Sequence, residues 1–125
     1  MKEELDAALC RDFPLLYRDR NGRMDQTCMV WGFPGDGWEP IIRRLSEKLE
    51  AAIAALPAEE RELCCASQVK EKFGSLRFYM NSSTDEMEAW ISAAEDESER
   101  TCETCGAPGK NSGSVWLKTA CEEHA

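Results

Sequence analysis

The chain has 125 residues, 31% of them charged, with 24 acids against 15 bases and a formal net charge of −9. That length accommodates one domain with a real core, or one domain carrying a small metal-stapled appendage. The charge argues against generic binding to phosphate backbones, because modules that grip nucleic acid present a basic face. No stretch approaches the roughly twenty apolar residues of a membrane span, and the N-terminal Met1-Lys2-Glu3-Glu4-Leu5-Asp6 has no signal-peptide core, so a cytosolic protein is expected.

Residues 2 to 10 predict a short helix with Leu5 and Leu9 on one face. Glu3, Glu4 and Asp6 fill its first turn, where the helix dipole favours negative charge, and Pro14 limits its extension. Asn21-Gly22 among charged neighbours predicts a loop or hairpin tip, and Thr27 to Gly32, with Cys28, Val30 and Trp31, predicts a short strand. Gly32-Phe33-Pro34-Gly35-Asp36-Gly37-Trp38 packs three glycines and two large aromatics into seven residues, and it supports two readings. In one, Phe33 and Trp38 tuck into the core and Pro40 enters the first turn of the next helix, where a missing N–H costs nothing. In the other, Phe33 and Trp38 face outward as contacts for a partner, since large aromatics dominate interface hot spots. No Lys-Ser/Thr follows the glycines, so the loop is not a phosphate cradle.

From Pro40 to Leu56 the apolar residues Ile41, Ile42, Leu45, Leu49, Ala52, Ile53 and Leu56 recur at three and four, the mark of a core helix. Arg43, Arg44, Glu47, Lys48 and Glu50 take its other side; Pro57 closes it, and residues 59 to 62 form a solvated connection. Gln68 to Met80 predicts a β-hairpin around Gly74. Ser83, followed three residues on by Glu86, predicts the capped start of a helix toward Arg100 with Met87, Trp90, Ile91 and Ala94 as its apolar stripe. Past Ala94 the stripe fails, so Glu95, Asp96, Glu97 and Glu99 are expected to project as an acidic connector and are candidate partner contacts. Eight acids against Arg100 alone lie between Ser83 and Thr104, whereas Lys70, Lys72 and Arg77 face only Glu71 in the hairpin; the molecule is expected to be electrically two-faced.

The strongest motif is Cys102-Glu103-Thr104-Cys105-Gly106 with Cys121-Glu122-Glu123-His124: two ligand pairs, each with two residues between, fifteen residues apart. That spacing predicts a tetrahedral Cys3His zinc site, with Gly106 supplying the backbone freedom such a turn often needs. A closed four-ligand site leaves no position for water or substrate, so its role is structural and no catalytic residue is predicted. A redox Cys-x-x-Cys, which wants a βαβ setting, and a disulfide, which wants an oxidising compartment, are the competing readings. A zinc deaminase is excluded because no His-x-Glu precedes the cysteines and His124 is the sole histidine. The remaining Cys10, Cys28, Cys64 and Cys65 are expected to be reduced, small core residues. Residues 108 to 113 predict the turn of a hairpin and Ser114 to Lys118 its return strand, the metal fixing how Val115, Trp116 and Leu117 dock on the rest. The expected fold is α+β, helices packed on a small antiparallel sheet, with a core domain over 1–100 and a zinc-binding module over 101–125.

Through these segments the chain resembles a family of small proteins of unassigned function encoded by tailed bacteriophages and prophages. The resemblance is carried by Thr27-Cys28-Met29 and the Gly32 to Trp38 loop, by Val69-Lys70-Glu71-Lys72-Phe73-Gly74 with Leu76-Arg77-Phe78-Tyr79, and by Cys102 to Gly109 with Trp116-Leu117-Lys118-Thr119. Its metal segment is similar to a truncated treble clef or zinc ribbon. The resemblance implies a phage origin, a bacterial host cytoplasm and no particular activity. The leading expectation is a non-enzymatic, zinc-stabilised acidic protein that binds a host or phage protein, for example to block a bacterial defence. The alternative is a nucleic-acid-binding module using Lys70, Lys72 and Arg77, with Phe73 and Tyr79 as stacking surfaces.

Overall fold

Helix α2 (Glu39–Ala54) is the axis of the core in a computed structural model that describes residues 1–113 and 117–125. Most of its apolar stripe does what the periodicity predicts: Ile41, Ile42, Leu45, Leu49 and Ile53 are buried, while Ala52 is half-buried and Leu56, also half-buried, lies beyond the helix end. Removing each such side chain from water is worth roughly 1.5–3 kcal/mol before chain entropy is counted. Around it pack α1 (Glu3–Asp12) through Leu9 and α4 (Asp85–Ser98) through Met87, Ile91 and Ala94. The short α3 (Ala58–Arg61) forms where a solvated connection was expected, because Pro57 sets its N-terminal turn and accepts the Glu60 and Arg61 N–H groups.

Strands β1 (Ala66–Lys72) and β2 (Ser75–Met80) pair antiparallel, with Val69 opposite Phe78 on the buried face and Lys70 opposite Arg77 on the other. The register irregularity between Ala66 and Gln68 leaves Ser67 as the extra residue of a bulge. Their turn, Phe73-Gly74, has positive φ at both residues, 55° and 76°, the geometry that matches strand twist in a two-residue hairpin. Glycine adopts it freely; phenylalanine does so under strain.

Two expectations are corrected. Thr27 to Gly32 is not a strand: residues Met29–Trp31 form a 3-10 turn, started by the Thr27 hydroxyl, which accepts the Met29 N–H at 3.2 Å, and ended by Gly32 at φ +80°. The Asn21-Gly22 segment is a loop, as expected, in which Arg18–Asn21 form a 3-10 turn ahead of Gly22. There the Arg18 guanidinium donates to the carbonyls of Leu15, Arg61, Glu62 and Cys64, pinning the segment to the end of α3. The acidic end of α4 does not project. Ser98 is fully buried and its hydroxyl accepts the Leu76 N–H at 2.9 Å, while the Glu95 carboxylate accepts the Phe78 N–H at 2.9 Å, so the polar residues that break the apolar stripe satisfy the free edge of β2.

Smaller adjustments follow the same logic. The cap of α4 is Thr84, whose hydroxyl accepts the Met87 N–H, and Ser83 instead donates to Glu88. Glu50, placed on the solvent side of α2 by periodicity, accepts the N–H groups of both Leu15 and Leu16. Of the four cysteines expected in the core, Cys64 and Cys65 are buried, Cys10 is half-buried and Cys28 is exposed. No helix among the described residues is long and apolar enough to cross a membrane.

Candidate metal centre

After α4 the chain makes the Cys102–Cys105 turn, and its backbone explains why these residue types stand there. The Gly106 N–H donates to the Cys102 carbonyl at 2.9 Å, and the Cys102 N–H to the Ala107 carbonyl at 2.8 Å, closing a knuckle. Gly106 sits at φ +83°, where a Cβ would be strained. Two short strands follow, β3 (Lys110–Ser112) and β4 (Lys118–Ala120), paired antiparallel with Asn111 opposite Thr119. The return strand thus lies at Lys118–Ala120; Ser114, Val115 and Trp116, where it was expected to begin, lie outside the described residues, and Leu117 is exposed. A 3-10 turn, Glu122–His124, then carries Cys121 and His124 back to the knuckle.

The four predicted ligands converge. One donor atom from each of Cys102, Cys105, Cys121 and His124 lies within 4.8 Å of every other. Cys105 Sγ is 3.7 Å from Cys121 Sγ, and His124 Nδ1 is 3.6 Å from Cys102 Sγ and 3.1 Å from Cys121 Sγ. A tetrahedral ion with bonds of about 2.3 Å to sulfur and about 2.0 Å to nitrogen would set its donors about 3.8 Å (S···S) and about 3.6 Å (S···N) apart. The cluster therefore fits a metal ion, with a modest opening of the Cys121–His124 edge. A disulfide would require sulfurs about 2.05 Å apart and would leave the other two donors without purpose.

The electrostatics agree with a site built to hold thiolates. Cys102 is fully buried, which opposes its charge, yet the backbone N–H groups of Cys121, Cys105 and Thr104 hold its pKa down at about 6. The imidazole of His124 lowers that of Cys121 and is itself raised by the same contact. At Cys105 the Ala107 N–H favours the thiolate, but desolvation and the sulfurs of Cys121 and Cys102 prevail and push its pKa up. Clustered thiolates repel one another unless a cation lies among them.

What sequence reasoning missed is the seat of this knuckle. The Gly37 N–H donates to the Glu103 carbonyl at 2.7 Å, and the Gly35 N–H to the Glu103 carboxylate at 2.9 Å. A Cβ on Gly37 would lie 2.1 Å from the Cys102 carbonyl oxygen. The two glycines are there because the metal knuckle rests on them. Trp38, offered as an outward partner contact, is instead fully buried, and its indole Nε1–H donates to the Thr101 carbonyl at 2.8 Å. Phe33 is half-buried with its ring edge-on to Tyr17 at 4.9 Å. The second hairpin is braced too: the Thr119 hydroxyl donates to the Gly74 carbonyl, and the Asn111 amide to the Phe73 carbonyl at 3.1 Å.

The acidic candidates divide. Glu95 is occupied at the sheet edge, and burial pushes its pKa up. Glu97 accepts two hydrogen bonds from Arg44, at 3.0 and 2.7 Å, and that guanidinium holds its pKa down. Asp96 and Glu99 are exposed, as is Trp31, which the sequence reading had placed in a strand. No family model, curated protein or solved structure matches this chain.

Proposed function

We propose that this chain is a non-enzymatic, acidic, zinc-stabilised protein that acts by binding another protein. The observation that carries the reading is the closed Cys102, Cys105, Cys121 and His124 cluster. Three thiolates and one imidazole in tetrahedral array select zinc, and with all four positions taken by protein the ion holds structure. The sole histidine is one of those ligands, which removes the commonest general base from the rest of the molecule. The resemblance to small phage and prophage proteins supplies the setting: an accessory protein in a bacterial host cytoplasm, directed at a host or phage protein, inhibition of a defence system being one such task.

With Trp38 and Phe33 committed to the core and Glu95 and Glu97 to internal bonds, the partner surface moves to Trp31, Asp96 and Glu99. Trp31 is 71% exposed and stands at the rim of a cleft with Asp6, Cys10, Arg20 and Phe33, an aromatic anchor beside a charged pair. Native mass spectrometry tests the metal: one zinc per chain is expected, and Cys105→Ser should lose it. Affinity capture from bacterial lysate tests the surface. A protein recovered by wild type and lost in Trp31→Ala or Asp96→Asn/Glu99→Gln, with zinc retained, supports the reading; a chain without zinc, or capture indifferent to both variants, overturns it.

A further inference from the structure

The outer face of the β1–β2 hairpin carries an arrangement that folding alone does not explain. Lys70 lies directly opposite Arg77, a like-charge cross-strand pair that costs stability. Among the described residues, neither these two nor Lys72 takes part in an ion pair, and Arg77 Nε is buried without a hydrogen-bond partner. The Glu95 carboxylate is near enough to feel the Arg77 charge, but it is already accepting the Phe78 N–H. On the same face Tyr79, opposite Gln68, is 43% exposed and borders a shallow depression of about 370 Å³ shared with Met24, Asp25, Gln26 and Cys28, the Asp25 carboxylate being paired with Arg23 at 2.7 Å. At the tip Phe73 is 63% exposed with Lys72 Nζ 5.5 Å from its ring, and it is held at φ 55° where asparagine or glycine is ordinarily found. Strained backbone that presents an exposed aromatic persists where the surroundings over-determine it. Here they do so through the Asn111 and Thr119 side chains of the metal module, bonded to the Phe73 and Gly74 carbonyls.

We propose that this face binds single-stranded nucleic acid, Lys70, Lys72 and Arg77 taking phosphates while Phe73 and Tyr79 stack bases, with the metal module holding the Phe73 turn in its presenting conformation. The pairing of cations with exposed aromatic planes is what distinguishes a single-stranded ligand from an acidic peptide, which would use the charges and leave the rings idle. The Tyr79 depression, with the amides of Gln26 and Gln68, offers hydrogen bonds to the edge of a base. The net charge of −9 confines the interaction to this face and makes it depend on low salt. The inference stands apart from the protein-binding surface at Trp31, and either can fail alone.

The test is fluorescence anisotropy of a labelled 20-nucleotide oligothymidylate with the full zinc-loaded chain. Binding at 50 mM salt is expected, with log K falling against log salt at a slope of about −2, the value for three phosphate contacts on a single strand. Lys70→Glu/Arg77→Glu should abolish it, and Phe73→Asn or Tyr79→Ala should each weaken it at least about fivefold by loss of one stacked base. Asp85→Asn/Glu86→Gln, on exposed α4 positions, should leave the affinity intact apart from a small gain from reduced repulsion. Chelation should weaken binding while circular dichroism still reports helix. Absence of binding at 50 mM salt, affinity equal to wild type in Lys70→Glu/Arg77→Glu, or equally tight binding of polyglutamate would overturn the proposal.

Discussion

Replacing Gly37 with alanine isolates the docking of the metal knuckle from the metal itself. The added Cβ would lie 2.1 Å from the Cys102 carbonyl oxygen, 2.5 Å from the Gly106 nitrogen and 2.7 Å from the Glu103 carbonyl carbon. All three are backbone atoms, so no side chain can swing aside; the knuckle and the loop must separate. Separation lengthens the 2.7 Å bond from the Gly37 N–H to the Glu103 carbonyl and disturbs the Trp38 indole bond to Thr101. Loss of one such bond costs about 1 kcal/mol, and forcing an extra methyl into close packing costs about 1–3 kcal/mol. The sum of about 2–4 kcal/mol corresponds to a fall in Tm of roughly 8–16 °C at about 4 °C per kcal/mol. Because ligand placement and folding are coupled, zinc affinity should fall at least about thirtyfold. Differential scanning calorimetry and competition with a zinc-binding dye measure the two effects. A Gly37→Ala protein melting within about 2 °C of wild type with unchanged zinc affinity would refute the idea that the loop glycines seat the metal site.

Trp38→Phe retains most of the buried ring but strands the Thr101 carbonyl, and should cost about 1–2 kcal/mol in urea denaturation with little change in m. Glu97 and Glu95 should respond oppositely to pH. The folded pKa of Glu97 is depressed by Arg44, so its contribution is present above the ordinary carboxylate range and lost as pH falls through that depressed value; Glu97→Gln should lower Tm at pH 7 and converge on wild type in acid. The folded pKa of Glu95 is raised by burial, so its ionisation costs stability as pH rises from the ordinary value through the raised one. Glu95→Gln, which keeps an acceptor for the Phe78 N–H, should raise Tm at pH 7 by a few degrees and lose that gain near pH 4, as thermal melts across pH will show. Phe73→Asn relieves the positive φ and creates the favoured Asn-Gly turn, so it should add about 1 kcal/mol of stability while weakening any ligand of the hairpin face.

The parts of the molecule legible in the sequence were those encoded by local spacing. The period of Ile41 to Ile53 gave α2, the alternation of Leu76 and Phe78 gave β2, and the two ligand pairs gave the cluster, because each depends on neighbours a few residues away. The bonds that were not legible span the chain. Trp38 reaches Thr101, Gly35 reaches Glu103, and Phe78 reaches Glu95, and no window of sequence holds both ends. The acidic run illustrates the loss: to a periodicity argument Glu95, Glu97 and Ser98 look alike as polar, whereas tertiary contacts make Glu95 and the buried Ser98 acceptors for the β2 edge and Glu97 an Arg44 partner. The Gly32 to Trp38 loop did carry a signal, since dense glycine marks a close approach of backbone to something; only the structure says that the something is the knuckle.

A two-stranded sheet offers open edges, and open edges recruit strands from other molecules. On β2 the N–H groups of Leu76 and Phe78 that could template such an addition are already spent on Ser98 and Glu95 from α4. An intruding strand would have to displace a buried hydroxyl and a half-buried carboxylate from these N–H groups before gaining its first backbone bond. The helix end that looks, in sequence, like a surplus of charge thereby closes the β2 edge to an added strand.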